Sequence, residues 1–198
     1  MIKRLLLLIG LTWCLPEQAA AQSVAVGEKK NKNSGWFNVT QLGYSRGFGT
    51  ARFRDDVVVR NGGYVGRLRT TFGYFVTPHT SVGLGFGLDG YHNPGYNTAP
   101  LVADARYYWN PTGNSPFVAA NAGYSLGLAR AFQRGAVGSA NAGYRFIWGR
   151  RTHLLVSAGV DVHQIKEARI LVFTPSAFER VQNNIWLQSL AFNAGFLF

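Results

Sequence analysis

Along most of the chain, apolar and polar residues alternate in steps of two. Side chains of a β-strand point to opposite faces in turn, so this period predicts strands with two different faces. Residues 184–198 show the pattern most completely, and their apolar stripe continues to the final residue. One face is large and apolar, with Leu190, Phe192, Ala194, Phe196 and Phe198. The other is mostly small or polar, with Ser189, Ala191, Asn193, Gly195 and Leu197.

Seven earlier segments have the same period, which makes eight predicted strands. They cover residues 36–45, 64–76, 81–89, 101–109, 117–128, 138–148, 153–163 and 184–198. Long and short connections alternate between them. The long ones are 46–63, 91–100, 129–137 and 164–183, and the short ones are 77–80, 110–116 and 149–152. Within the first long connection, Val57, Val58 and Val59 are interpreted as the extension of a hairpin.

The charges inside the predicted strands indicate which face points inward. All of them lie on the small or polar face: Arg67, Arg69, Asp89, Asp104, Arg106, Arg145 and Asp161. A soluble lipocalin-like barrel, which also has eight antiparallel strands, is the alternative. In water, however, the opposite face would form an apolar patch far beyond the few hundred Å² that monomers expose. The pattern therefore favours an all-β fold, an eight-stranded antiparallel up-and-down transmembrane β-barrel with a polar interior.

Side chains are predicted to fill this interior, because eight strands enclose little else. The unit Asn-Ala-Gly-aromatic recurs in three strands, with Asn and Gly facing inward. Inward Gly83, Gly85 and Gly87 are expected to leave room for bulky arginines opposite. The predicted polar network of the lumen consists of Arg67, Arg69, Asp89, Asp104, Arg106, Asn121, Asn141, Arg145, Asp161, His163 and Asn193.

The charges of this network are predicted to pair, since a lone buried charge is costly. Arginines should neutralise aspartates across neighbouring strands: Arg67, Arg69 and Arg106 against Asp89, Asp104 and Asp161. The first strand has the least regular phase, and Gln41, Gly43 and Ser45 are assigned inward. A plugged, structural lumen is the main expectation, and a narrow pore for small ions is the alternative.

The N-terminal residues have the layout of a secretory signal peptide. Lys3 and Arg4 precede a short apolar run, and three alanines at 19–21 offer a cleavage site. We expect residues 1–21 to be removed, residues 22–34 to form a flexible periplasmic leader, and residues 35–198 to form the barrel. The apolar run is too short to span a bilayer as a helix. The only cysteine, Cys14, would leave with the signal, and the net charge of +11 would become about +10.

The signal layout, the eight segments, the alternating connections and terminal Phe198 together resemble a known family. They are similar to the small OmpA/OmpX-type eight-stranded β-barrels of the bacterial outer membrane. The resemblance implies the outer membrane of a Gram-negative cell envelope, both termini in the periplasm, a porin-like barrel and a monomer. It also implies that Phe192, Phe196 and Phe198 carry the signal that the barrel-assembly machinery recognises.

Little in the chain indicates catalysis. Asp161 and His163 share an inward face two residues apart, and an acid beside a histidine can orient a general base. An outer-membrane hydrolase, lipid A-modifying or protease-like, therefore stays as an alternative. The main expectation is that the protein is not an enzyme and uses no cofactor. No metal site is expected either, because the four histidines lie on separate segments without ligand spacing.

The long connections are basic. Their cations are Arg46, Arg52, Arg54, Arg60, Arg130, Arg134, Lys166, Arg169 and Arg180. Arginine pairs bidentately with phosphate, so lipopolysaccharide is the expected neighbour and another external polyanion the alternative. Nucleic acid is not an expected partner of an exported protein. The predicted function is thus a structural or surface-interaction role in the outer membrane.

Overall fold

The computed structural model describes residues 33–54, 57–92, 95, 97–128, 132–149, 152–174 and 177–198, with only the backbone described at 51–60 and 167–183. The strands are β1 (Gly35–Phe48), β2 (Thr50–Arg54), β3 (Val57–Arg60), β4 (Tyr64–Phe75), β5 (Thr80–His92), β6 (Asn97–Tyr108), β7 (Ser115–Leu126), β8 (Gly135–Ile147), β9 (His153–Thr174) and β10 (Ala177–Leu197). Eight of them form a closed barrel in the order β1-β10-β9-β8-β7-β6-β5-β4. The predicted fold class is confirmed. The predicted signal peptide, Cys14 and most of the predicted leader lie outside the described residues.

The barrel closes where the first strand meets the last. β1 and β10 pair antiparallel, with Val39 opposite Leu197 and Phe48 opposite Gln188. Two backbone hydrogen bonds finish this seam, because Asn38 N donates to Phe198 O (3.1 Å) and Phe198 N donates to Asn38 O (2.9 Å). β1 also pairs with β4, so neither edge of the sheet is left open.

The two ends of the barrel differ. The short-turn end contains the connections around residues 76–79, 109–114 and 148–152, together with Asn33 and Phe198. The long-loop end carries extensions of the sheet. There β2 and β3 form the small hairpin that the three valines predicted.

The last long connection differs from the prediction. Residues 164–183 were expected to be a loop, but the β9–β10 ladder continues to the pair Thr174–Ala177. The prediction was wrong because the many basic and polar residues of this stretch indicated a loop. The stretch also contains Ile-Leu-Val-Phe at 170–173, a run of residues that favour strands. Other boundaries moved by a few residues; β8, for example, begins at Gly135 instead of residue 138.

The outer surface is apolar and has an aromatic girdle at each end. Between the girdles, outward positions hold mainly aliphatic side chains and phenylalanines, such as Leu84 and Phe86, which are 65% and 57% exposed. Outward aromatic residues at the short-turn end are Trp36, Tyr74, Tyr107, Trp109, Tyr144, Phe146, Trp148, Phe196 and Phe198. At the long-loop end they are Tyr44, Tyr64, Tyr124 and Trp186.

The first strand follows the assigned phase. Ser45 is fully buried and Leu42 is 67% exposed, so Gln41, Gly43 and Ser45 do face inward. The outward positions near its start are polar, and they satisfy one another. Thr40 Oγ1 lies 3.1 Å from Thr70 Oγ1 and donates to Asn38 Oδ1 at 3.2 Å.

The interior has two layers of different chemistry. An apolar layer fills the short-turn end: Phe37, Val39, Phe75, Tyr108, Phe117, Leu155 and Leu197. A charged layer lies nearer the long-loop end: Ser45, Arg67, Arg69, Asp89, Tyr91, Asp161 and His163. The expectation of a polar interior along the whole barrel is therefore wrong for the short-turn end. A narrow barrel has to be filled with side chains, and aromatic rings fill it as well as ion pairs do.

Candidate functional site in the barrel lumen

The charged layer is built from inward positions of four strands. β4 supplies Arg67 and Arg69, β5 supplies Asp89 and Tyr91, β9 supplies Asp161 and His163, and β1 supplies Ser45. Successive inward side chains on a strand lie about 7 Å apart. The β4–β5 register places Arg67 directly opposite Asp89. The strand register alone therefore makes two opposite charges direct cross-strand neighbours.

Two inward glycines, Gly87 and Gly43, lie beside the two arginines of β4. A Cβ added to Gly87 would lie 3.4 Å from the Cβ of Arg69. On the other side of β4, a Cβ added to Gly43 would lie 3.4 Å from the Cβ of Arg67 and would also collide with the side chain of Asn193. The 3.4 Å contacts with arginine would be ordinary ones. At Gly87 the clash would be with backbone, since an added Cβ would lie 2.6 Å from Leu68 O, so the room predicted for arginine is not what requires glycine there.

Arg67 joins two aspartates. Its Nε contacts Asp89 Oδ1 at 3.2 Å, and its Nη2 contacts Asp161 Oδ2 at 2.8 Å. Asp161 Oδ2 also accepts a hydrogen bond from Ser45 Oγ at 2.8 Å. β4 and β9 are not adjacent in the barrel, so the second ion pair crosses the lumen. Pairing across neighbouring strands was predicted, and it is wrong for Asp161, because a narrow lumen brings opposite walls within reach.

The other two arginines find different partners. Arg69 Nη2 contacts Asp89 Oδ2 at 3.4 Å, and its Nη1 donates to Asn121 Oδ1 at 3.4 Å. Arg106 binds Asp104 on its own strand, through Nε–Oδ1 at 2.7 Å and Nη2–Oδ2 at 3.4 Å. Pairing of Arg106 across strands was predicted and is wrong. Residues two apart share a face, and arginine is long enough to bridge them.

His163 does not pair with Asp161 as a catalytic dyad would. It is buried, its Nδ1 is hydrogen-bonded to the hydroxyl of Tyr91, and its Nε2 accepts from Arg67 Nη2 at 3.4 Å. Its Nε2 also lies 3.9 Å from Asp89 Oδ2, which makes Asp89 its neighbouring carboxylate. The dyad hypothesis for Asp161 and His163 is thus wrong in its partner. Tyr91 was missed because it was assigned to a loop, although it continues the inward phase of Asp89.

Below the charged layer, the three repeated asparagines lie on the inner wall. Asn193 Nδ2 donates to Asn141 Oδ1 at 3.3 Å, and Asn141 Nδ2 donates to Ser139 Oγ at 2.9 Å. With Arg69, Arg106 and other inward side chains they line a cavity of about 20 Å³. A single water needs roughly 10–15 Å³ of such space. The middle of the lumen therefore has room for little more than one water molecule.

Arg145 lies at the short-turn end and makes no ion pair within the described residues. It is buried, with its guanidinium carbon 4.7 Å from the centre of the Tyr108 ring. It donates to the backbone carbonyls of Gly113 (2.9 and 3.2 Å) and Asn110 (3.2 Å). Its Nη1 donates to Asn33 Oδ1. A charge that was predicted to join the ion-pair network instead holds a turn and the end of the leader.

Asn33 lies across the short-turn end. Its backbone N–H donates to Pro111 O at 2.9 Å, and its side-chain Nδ2 donates to Pro78 O at 2.8 Å. Two turns and the Arg145 side chain therefore meet at one residue. The described end of the predicted leader is held beneath the apolar layer by these contacts.

The basic connections are described only in part. Arg46, Arg134 and Lys166 are exposed at the long-loop end. The remaining predicted cations lie outside the described side chains: Arg52, Arg54, Arg60, Arg130, Arg169 and Arg180. Among the side chains that the structure describes, no three His, Cys, Asp or Glu residues are grouped as metal ligands. No helix within the described ranges has the length and hydropathy to cross a membrane.

No family model and no curated protein matches the chain. Solved structures do resemble it. Neisserial surface protein A (NspA) shares 15% identity over 83% of this chain and 96% of that chain, with a TM-score of 0.51. The outer membrane protein OprG from Pseudomonas aeruginosa shares 12% identity over 85% and 97% of the two chains, with a TM-score of 0.49. The likeness to NspA supports the barrel fold and does not single out the OmpA/OmpX type.

Proposed function

We propose that the chain is a bacterial outer-membrane β-barrel with a closed lumen and a structural or surface-interaction role. The observation that carries the proposal is the combination of an apolar outer surface between two aromatic girdles with two filled interior layers. Aromatic girdles mark the two interfaces of a membrane-spanning barrel, and lipid would cover the exposed Leu and Phe side chains between them.

In the proposed orientation, both termini and the short turns are periplasmic, as in other barrels of this architecture. The long-loop end then faces the cell exterior, with Arg46, Arg134 and Lys166 at the level of lipopolysaccharide. Cations near an anionic membrane surface each contribute about 1 kcal/mol of attraction. Lipopolysaccharide is accordingly the proposed neighbour of this end.

A closed lumen favours a structural role over a pore. Ions would have to pass the Arg67–Asp89–Asp161 cluster, a cavity of about 20 Å³ and the apolar layer. The test is conductance of the refolded barrel in planar bilayers, compared with the variant Phe37→Ala/Phe117→Ala, which removes two rings of the apolar layer. We expect no resolvable steps from the natural sequence and brief openings from the variant. Steady conductance of the natural sequence would contradict the closed lumen.

Catalysis forms no part of the proposal, because most polar groups of the charged layer contact one another; only Arg69 Nε and Asp161 Oδ1 of its described side-chain atoms are buried without a hydrogen-bond partner. The test is an assay of lipid A modification and of proteolysis with the natural sequence, Asp89→Asn and His163→Gln. Measurable turnover that both variants abolish, with heat-modifiable gel mobility retained, would replace the proposal with the enzyme alternative.

A further inference from the structure

The outer surface is not uniform around the barrel. On β10, β4 and β5 it carries large side chains, among them Leu68, Leu84, Phe86 and Phe192. On β6 to β9 alanines take the corresponding places and leave a groove of about 570 Å³. Its floor contains Ala105, Ala120, Ala140, Ala142 and Ala158. The strand register makes this floor continuous, with Ala105 opposite Ala120 and Ala120 opposite Ala140.

Two cations lie at the long-loop end of the same strands. Lys166 Nζ is 5.4 Å from the centre of the Tyr124 ring. Tyr124 lies on β7 four residues after Ala120 and on the same outward face. The backbone N–H of Lys166 donates to Arg134 O at 2.9 Å, so the two residues are neighbours. The stem of Arg134 lies along Gly127, where an added Cβ would be 2.9 Å from Arg134 Cγ.

We propose that this groove and the cation pair above it form one site for an acylated, phosphate-bearing lipid of the outer leaflet. One acyl chain lies in the alanine groove, and the phosphate is bound by Lys166 and Arg134. Each outward step along a strand covers about 7 Å, so the pair is a few such steps from the middle of the groove. Because the strands of such barrels are tilted by about 40°, this corresponds to roughly 15–20 Å of depth, the reach from a headgroup phosphate to the lower half of its own acyl chain.

Charge distinguishes this occupant from a second copy of the chain. A closed dimer around an axis normal to the membrane would place the same patch of both copies face to face. Lys166 and Arg134 of each copy would then lie at the same height along one seam and repel each other. A phosphate at that height complements them. Arginine binds it bidentately and lysine acts as a point charge.

The site deepens the proposed function and rests on its orientation, with the long-loop end in the outer leaflet. The experiment measures lipid A retained by the refolded, detergent-solubilised full barrel, using native mass spectrometry. Two variants test the parts separately: Lys166→Gln/Arg134→Gln removes the cations, and Ala120→Leu/Ala140→Leu fills the groove. Matched controls are Arg46→Gln, an outward cation above large side chains on β1, and Ala194→Leu, an outward alanine on β10.

The natural barrel should retain lipid A, and loss of both cations should weaken retention about 25-fold, at about five-fold for each cation near the surface. Filling the groove should lower retention of lipid A and also of phosphatidylglycerol, which shares the acyl chain and phosphate. Ala194→Leu should stay within about two-fold of the natural sequence, as expected for a surface change away from the site. Arg46→Gln, which loses general attraction to phosphate but no contact with the site, should lower retention by at most about five-fold, well short of the loss in the cation variant. Inorganic phosphate should not displace the lipid.

Several results would overturn the inference. An effect of Arg46→Gln equal to that of the cation variant would indicate general attraction at the girdle. Unchanged retention in Ala120→Leu/Ala140→Leu would show that the groove holds no chain, and displacement by inorganic phosphate would reduce the site to an anion contact. Dimers in place of lipid-bound monomers would assign the groove to a second copy. A barrel that inserts into vesicles but retains no lipid refutes only the site, whereas failure to insert refutes the proposed function.

Discussion

The charged and apolar layers of the lumen occupy inward positions of the same strands, yet different interactions stabilise them. On β4 the inward residues pass from Arg67 and Arg69 to Phe75, and on β9 from Asp161 to Leu155. In the charged layer each group is tolerated because a partner neutralises it. In the apolar layer each group is held by contact area and shape. Loss of one member should consequently be more costly in the charged layer, where it leaves its partner buried and unpaired.

The largest effect is expected from Asp89→Asn. Asp89 is the ion-pair partner of both Arg67 and Arg69, and its side chain is fully buried. Loss of its charge should lower the free energy of unfolding by about 3–5 kcal/mol, as when one partner of a buried pair is removed. Urea unfolding of the barrel in lipid vesicles measures it. Arg46→Gln, at an exposed position, is the control, and a loss below about 1 kcal/mol for Asp89→Asn would contradict the proposed dependence on pairing.

A smaller effect is expected in the apolar layer. Leu155 is fully buried there, and Leu155→Ala should lower the free energy of unfolding by about 2–3 kcal/mol through lost contacts and a cavity. Its neighbour Val156 faces outward, so Val156→Ala is the matched control and should cost less than about 1 kcal/mol. The same urea titration serves both. If Leu155→Ala costs more than Asp89→Asn, the comparison between the layers is reversed.

Close packing of the apolar layer can be tested by adding a methyl group. An added Cβ at Gly73 would collide with the Phe37 ring and lie 2.7 Å from Val82 O. Gly73→Ala should therefore cost about 1–2 kcal/mol through overpacking. On the same strand Gly66 has open space around such an atom, so Gly66→Ala should be close to neutral. Partial rescue of Gly73→Ala by Phe37→Leu would identify the ring as the obstacle, and equal costs at both glycines would refute the close packing.

Local alternation was enough to predict the barrel strands and their faces, because a shift of one residue would turn every side chain of a strand to the wrong face. Ser45 is an example, because its position in the alternation of the first strand was enough to assign it to the lumen, where it is fully buried. The contacts inside the lumen were less accessible. Whether Arg67 reaches Asp161 depends on barrel width and on the relative height of nonadjacent strands, which no single segment encodes.

The apolar layer was overlooked for a different reason. Its members are inward residues at strand ends, and Phe37 and Leu155 were visible in the correct phase. The predicted polar interior did not include them, although together with the other members they form a continuous layer. Arg145 was assigned to the ion-pair network by its residue type. Its partners are two backbone carbonyls, the Asn33 side chain and the Tyr108 ring, and the local sequence pattern does not indicate any of these contacts.

The smallest effect on stability is expected at Phe198. The last two residues face opposite sides of the barrel wall. Leu197 is buried in the apolar layer, whereas Phe198 is 58% exposed on the outer girdle. Phe198→Ala keeps both backbone hydrogen bonds to Asn38 and should cost less than about 1 kcal/mol in the refolded barrel. The resemblance to outer-membrane barrels implies that Phe198 belongs to an assembly signal, and on that hypothesis Phe198→Ala should nevertheless impair insertion in cells.

Leu197→Ala should have the opposite effects, a loss of stability without a loss of insertion in cells. It should lower the stability of the refolded barrel through a cavity while leaving the outward aromatic residues Phe192, Phe196 and Phe198 in place. Heat-modifiable gel mobility of refolded and cell-derived preparations measures stability and insertion side by side. If Phe198→Ala inserts in cells as well as the natural sequence does, its ring serves only as part of the girdle, and the apolar stripe that ends the chain is explained by lipid contact alone.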